Sequence, residues 1–133
     1  MTTYTVDAVA MARYLVDKLP SSADEIFRRA EDGIDVLEAP PVTVSEVMYT
    51  AAKKGVIAGV DVETTPNAVL QGVVTQGPVR VVSANEHDLA VMGSLLDHHT
   101  MHDALLIANH RVRGTDAIIS NDGAFSSEPL VWD

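Results

Sequence analysis

The 133-residue chain contains no cysteine. That absence excludes disulfides, thiolate zinc sites and a cysteine nucleophile together, so any metal would have to use oxygen or imidazole donors. Long apolar runs are missing too: none approaches the ~18 to 20 residues of a membrane helix, which excludes a membrane-spanning protein. The opening "MTTYTVDAV" has no basic start followed by an apolar stretch, so no signal peptide is expected and a cytoplasmic location is. No Gly-rich P-loop, dinucleotide fingerprint or G-x-S-x-G elbow is present, and each absence removes one enzyme class. Positive charge is scarce. Nine Lys and Arg face 19 Asp and Glu, the net charge is −10, and the only lysines are Lys18, Lys53 and Lys54. A nucleic-acid binder is ordinarily basic, because phosphate neutralisation supplies most of its affinity. Taken alone, this balance argues against nucleic acid. The same acid-rich, lysine-poor surface also suits a halophilic protein working in molar salt, where the Debye length falls to ~3 Å and repulsion is screened. Under that reading, net charge says little about the substrate.

What is there is a normal apolar fraction of 47% and a length that fits one domain, residues 1–133, with a single core. Residues 3 to 7 alternate and predict a strand, and "AVAMARYLVDKL" then places Val9, Ala12, Leu15, Val16 and Leu19 on one helical face. "SSADEIFRRAEDG" predicts a helix capped by Ser21 or Ser22 and ended by Gly33, and "IDVLEAP" a short strand. "TVSEVMYTAAKKG" predicts a helix stopping at Gly55; residues 56 to 65 predict a loop or turn, and 66 to 76 a helix. Beyond these, "PVRVVSA" predicts a buried strand, residues from Asn85 and from Met101 two helices, and "AIIS" and "PLVW" two short strands. Strands alternating with helices imply a three-layer α/β/α sandwich around a mainly parallel sheet of about five short strands.

In such a sheet ligands bind at the carboxyl ends of the strands, so each acidic residue can be placed by topology. Asp7 closes the first strand and Asp122 follows "AIIS". Glu46 lies in the first turn of the helix expected after the second strand, and Asp103 opens a helix running down before a strand runs up. All four converge on one rim, whereas Asp116 precedes its strand and falls at the opposite end. Each has a simpler explanation by itself. Thr43 to Glu46 reads as a capping box and Thr100 to Asp103 as its T-x-x-D analogue; "NDG" is a turn signal, and Asp7 could cap the next helix. Together they are harder to dismiss, since two carboxylates ~5 Å apart repel by roughly 3 kcal/mol at an effective dielectric of 20. A divalent cation is the simplest compensation. Oxygen donors without cysteine point to Mg²⁺ or Mn²⁺, and the chemistry expected of such a centre is phosphodiester hydrolysis.

The pieces "YTVDAVAMARYL", "VSEVMY", "HDALLIANH" and "IISNDGAF", in this order and spacing across essentially the whole chain, resemble the PIN-domain family and its VapC-type toxins of toxin–antitoxin systems. The resemblance implies an Mg²⁺- or Mn²⁺-dependent ribonuclease, usually a homodimer, often inhibited by a small antitoxin whose C-terminal segment occupies the cleft. The family's acidic metal-binding residues fall on Asp7, Glu46, Asp103 and Asp122, and its small hydroxyl residue before the last aspartate falls on Ser120. Val9 stands where the family often has Ser or Asn, which removes one polar neighbour of the site. On this basis Asp7, Asp103 and Asp122 would ligate one or two metals directly or through water, and Glu46 would hold a metal-bound water or orient the attacking one.

The remaining candidates are weaker. Lys53 with Lys54 and Arg111 with Arg113 form the local positive pairs that could touch RNA phosphate, or could instead complement helix dipoles. Arg13, about one turn beyond Asp7, could pair with a cleft carboxylate. The histidines of "DHHTMHD" are read as polar residues of an interhelix turn rather than a zinc site, and the six aromatics as too few for a base-stacking platform. An alternative of another class stands beside the nuclease: a PIN-like RNA-binding or protein-interaction module with little or no nuclease activity.

Overall fold

Strand β1 (Thr3–Val6) occupies the centre of a five-stranded sheet, and a computed structural model describes every residue from 1 to 133. The helices and strands that follow are α1 (Ala8–Leu15), α2 (Ser21–Glu31), β2 (Val36–Ala39), α3 (Pro41–Lys54), β3 (Val56–Ile57), β4 (Val60–Asp61) and α4 (Pro66–Leu70). The chain then continues through β5 (Val79–Val81), α5 (Glu86–Leu95), α6 (Met101–Arg113), β6 (Ala117–Ile119) and β7 (Leu130–Val131). The main sheet has the order β5-β2-β1-β6-β7, and every neighbouring pair in it is parallel. With six helices packed around it, the result is the expected α/β/α sandwich. No helix is long and apolar enough to cross a membrane.

Strand alternation gives the sheet two unlike faces. Tyr4, Val6, Leu37, Ala39 and Ile119 point into the larger core, built with Met11, Phe27, Val47 and Val73. The other face carries Thr5, Glu38 and Ile118, in register across β1, β2 and β6, and meets α6 through a smaller apolar cluster of Leu106, Ile107, Ile118 and Phe125. Much of this second layer is held by polar contacts instead. Thr5 Oγ1 and His110 Nδ1 both meet Thr115 Oγ1, at 2.8 and 2.6 Å, and Arg113 grips Glu38 with two hydrogen bonds of 2.7 and 3.0 Å. Burial holds His110 below the usual imidazole range, despite the nearby Glu128 carboxylate.

Several expected boundaries move, for local reasons. Helix α3 begins at Pro41, whose fixed φ suits the first helical turn, so Thr43 is a buried first-turn residue and no capping box with Glu46 forms. Helix α2 starts after Pro20 without a side-chain cap from either Ser21 or Ser22. Residues 56 to 61 are a tight antiparallel hairpin rather than a loop, made possible by positive φ at Ala58 and Gly59. The helix of residues 66 to 76 changes after Leu70 into a π-helical stretch, Gln71–Thr75. Gly77 lies against it so closely that a Cβ there would fall 2.2 Å from the Gly72 carbonyl oxygen. Strand β5 is an edge strand, buried only at Val79.

The Glu38 carboxylate is nearly buried, so removing its partner would leave an uncompensated charge against the sheet. Arg113→Met should therefore cost about 3 kcal/mol in urea unfolding, and the pair Glu38→Leu with Arg113→Met should regain most of it. A single-substitution loss under about 1 kcal/mol would show that solvent already screens the pair.

Candidate functional site

The strand order reverses direction at β1: the chain steps from β1 outward through β2 to β5, then returns to β6 on the other side. Helices on the two sides of that reversal cover opposite faces, and a crevice opens between them at the carboxyl ends of β1 and β6. Asp7 and Asp122 stand at this point. A cavity of about 110 Å³ there is lined by Asp7, Glu46, Asp103 and Asp122, with Thr43 and His102 beside them. The four acidic residues named from topology thus share one cavity. Asp116, placed at the opposite end, accepts a 2.9 Å hydrogen bond from the Thr3 amide at the start of β1.

Asp7 is the most buried of the set, at 5% exposure. Its amide donates to the Ile119 carbonyl across the β1–β6 junction, and its Oδ1 accepts from the Ala10 amide at 2.8 Å, capping α1. Burial pushes its carboxyl up to about 6. The Ser120 hydroxyl and the Ala10 amide oppose the rise, while the nearby Asp122 and Glu46 carboxylates add to it. The cap therefore explains part of the Asp7 environment but not its crowding by other acids. Ser120, itself buried, also accepts from the Asp122 amide at 3.0 Å, so one hydroxyl ties the two aspartates together.

Asp122 caps the short helical turn Gly123–Phe125 through the Ala124 amide at 2.9 Å. At the other wall Asp103 occupies the first turn of α6, where Thr100 Oγ1 accepts from its amide at 3.4 Å. Glu46 has no capping role to account for it. Its Oε1 lies 2.8 Å from His102 Nδ1, a contact between the second turn of α3 and the first turn of α6. Burial holds the Glu46 carboxyl above the usual range; His102 pulls it down and Asp103 pushes it up. Expected as a polar residue of the interhelix turn, His102 belongs instead to the cavity wall. Helix packing, invisible in local spacing, brings it there.

No three of these carboxylate and imidazole groups stand close enough to enclose an ion among themselves. The donor chemistry nevertheless suits a hard divalent cation of the Mg²⁺ type, which keeps much of its hydration and commonly uses only one or two carboxylates of the protein plus substrate phosphate. Direct enclosure by all four acids is not what this geometry offers.

Two wider depressions meet the cavity at Glu46. One, of about 350 Å³, has mostly apolar walls from α1, α3 and the β3–β4 hairpin, with Val9 and Arg13 on its rim. Arg13, which could have paired with a cleft carboxylate, forms no ion pair, and its guanidinium lies 5.4 Å from the centre of the Trp132 ring. The other, of about 320 Å³, runs between α3 and the start of α6 and contains Tyr49. Arg111 and Arg113, one of the two candidate positive pairs, already have carboxylate partners. Arg111 is held by Glu128, with Nη2 3.1 Å from Oε2, and Arg113 by Glu38. Both lie near the C-terminal end of α6, ~12 to 15 Å along its axis from Asp103 at 1.5 Å per residue. Lys53 and Lys54 are exposed at the end of α3 and form no ion pair.

Asp7 binds a proton in the folded chain near pH 6 and, once unfolded, near ~4. Between these values the native state holds the extra proton, so stability falls as pH rises through the window, and the full cost of about 3 kcal/mol is present above it. Asn retains the capping oxygen without the charge. Asp7→Asn should accordingly stabilise the protein in EDTA at pH 7.5 and do little at pH 4, as read by urea unfolding. Equal effects at both pH values would refute a buried charge as the cause.

Models of known protein families give no match to this chain, and neither do curated proteins, which leaves the geometry of the carboxylate cavity to carry the functional assignment.

Proposed function

We propose that this chain is a divalent-cation-dependent endoribonuclease of the PIN-domain, VapC type. The observation that carries the proposal is the meeting of four carboxylates, from four separate parts of the chain, in one cavity at the sheet's reversal point. Burial pushes the Asp7 carboxyl up to about 6, the Asp122 and Glu46 carboxylates add to the rise, and so placing a further acid at this cavity is costly for a fold alone. Asp7, Asp103 and Asp122 would hold Mg²⁺ or Mn²⁺, some of them through water since no three donors enclose an ion, and the cation would offset their charge, draw in the phosphodiester and ease departure of the leaving oxygen.

The chain's own residues divide the remaining work. Ser120 fixes Asp7 and Asp122 relative to each other. Glu46, steadied by His102, accepts a hydrogen bond from the attacking water and aims it at phosphorus. Of the two candidate positive pairs, Lys53 with Lys54 is the one left to contact flanking phosphates, since Arg111 and Arg113 already have carboxylate partners. By the same resemblance the protein acts in the cytoplasm as a homodimer and as the toxin of a type II pair, inhibited by a small antitoxin. Two observations favour a binding module instead: no three donors enclose an ion, and Glu46 already contacts His102.

RNA cleavage with Mn²⁺, measured at low and at molar salt, separates the two. The nuclease predicts cleavage that EDTA abolishes and that Asp7→Asn lowers by on the order of 100-fold or more, the scale expected when a group stabilising developing charge is lost. Cleavage surviving both the chelator and the substitution would sink the mechanism. RNA binding without cleavage at either salt concentration would establish the module.

A further inference from the structure

Tyr49 is the only one of the six Phe, Tyr and Trp side chains that is mostly exposed, at 63%. It lies one helical turn beyond Glu46 on α3, and the stripe Val42, Ser45, Glu46, Tyr49 follows the spacing of a single helix face. Across from this stripe stands only His102, so the depression of about 320 Å³ between α3 and the start of α6 is open to solvent. It reaches the carboxylate cavity directly, because Glu46 and His102 line both.

An acidic protein faces a particular difficulty with RNA. Phosphate contacts are few here: Arg111 and Arg113 are neutralised by Glu128 and Glu38, and the net charge is −10. In molar salt the gain from releasing counterions would shrink further. Stacking of a base on an aromatic ring does not depend on charge in that way, and it tolerates any sequence because every base has a flat face. An exposed tyrosine in an open groove that starts at the reaction centre supplies such a face.

We propose that this groove is a base-stacking subsite for single-stranded RNA, with Tyr49 as the platform for a nucleotide flanking the phosphate held at the carboxylate cavity. The proposal rests on the nuclease reading and adds to it. Tyr49 acts as a positioning residue, and His102 bounds the groove where it opens into the cavity. Duplex RNA cannot use the subsite, because its bases are already stacked.

The test uses the whole protein and a fluorescein-labelled 12-nucleotide RNA without self-complementarity. Its binding is followed by anisotropy with Ca²⁺ present, and its cleavage with Mn²⁺, each at low and molar salt. Tyr49→Ala should weaken binding and raise KM by about ten-fold or more, with kcat nearly unchanged and the dependence of affinity on salt unaltered. Tyr49→Phe and Tyr49→Trp should retain wild-type affinity, which a merely structural role of the hydroxyl would not allow. Wild-type cleavage with KM unchanged in Tyr49→Ala would overturn the subsite and leave the nuclease standing. Absence of both binding and cleavage in the wild type would bring down both. Conversion of a dimer to a monomer by Tyr49→Ala, seen by light scattering, would assign the ring to a protein interface and likewise overturn the proposal, as would duplex RNA binding as tightly as the single strand.

Discussion

Everything at the carboxylate cavity depends on β1 pairing in parallel with β2 on one side and β6 on the other. Parallel strands need long returns, and each return must climb back over a face of the sheet before the next strand begins. Because β2 and β6 lie on opposite sides of β1, their returns cover opposite faces, and the two helical layers part at the carboxyl end of β1. Asp7 is the first residue beyond that end. From the same geometry Glu46 descends on one layer, Asp103 on the other, and Asp122 emerges from the neighbouring strand.

The distribution of charge follows a similar division between the rim and the body of the sheet. At the rim, carboxylates face one another with no arginine or lysine among them. Deeper, the cations of α6 are spent on single acids: Arg113 on Glu38 and Arg111 on Glu128. This protects the interior from bare charge but leaves the rim with an unbalanced negative potential. A low-dielectric wall on each side concentrates that potential, which favours cations over anions at the cavity.

Topology made much of this legible from sequence. The alternation of strand and helix identified the layers, and the strand ends located Asp7 and Asp122, because a residue following a parallel strand has only one rim to occupy. Asp103 followed from the direction of α6, and Asp116 was assigned to the far end for the same reason. Glu46 was placed correctly although the capping box imagined for it does not exist, since Pro41 starts the helix two residues earlier. What could not be read depended on contacts between distant segments. Glu38 lies 75 residues from Arg113, and no local pattern joins them. His102 meets Glu46, and stands across from Tyr49, only because α3 and the start of α6 are brought face to face. The hairpin of residues 56 to 61 is so short that its strands left no periodic signal.

The unlike faces of the sheet carry one further consequence, for the accuracy of strand alignment. Sliding β2 by a single residue against β1 would exchange Leu37 with Glu38, driving a carboxylate into the apolar core beside Val6 and stranding Arg113 without a partner. A purely apolar sheet, greasy on both sides, would tolerate that slip far better. The buried Glu38 thus works as an indexing pin: it contributes nothing at the rim, yet it fixes how far each strand projects there, and with that the separation of the acids that the strands and their helices deliver.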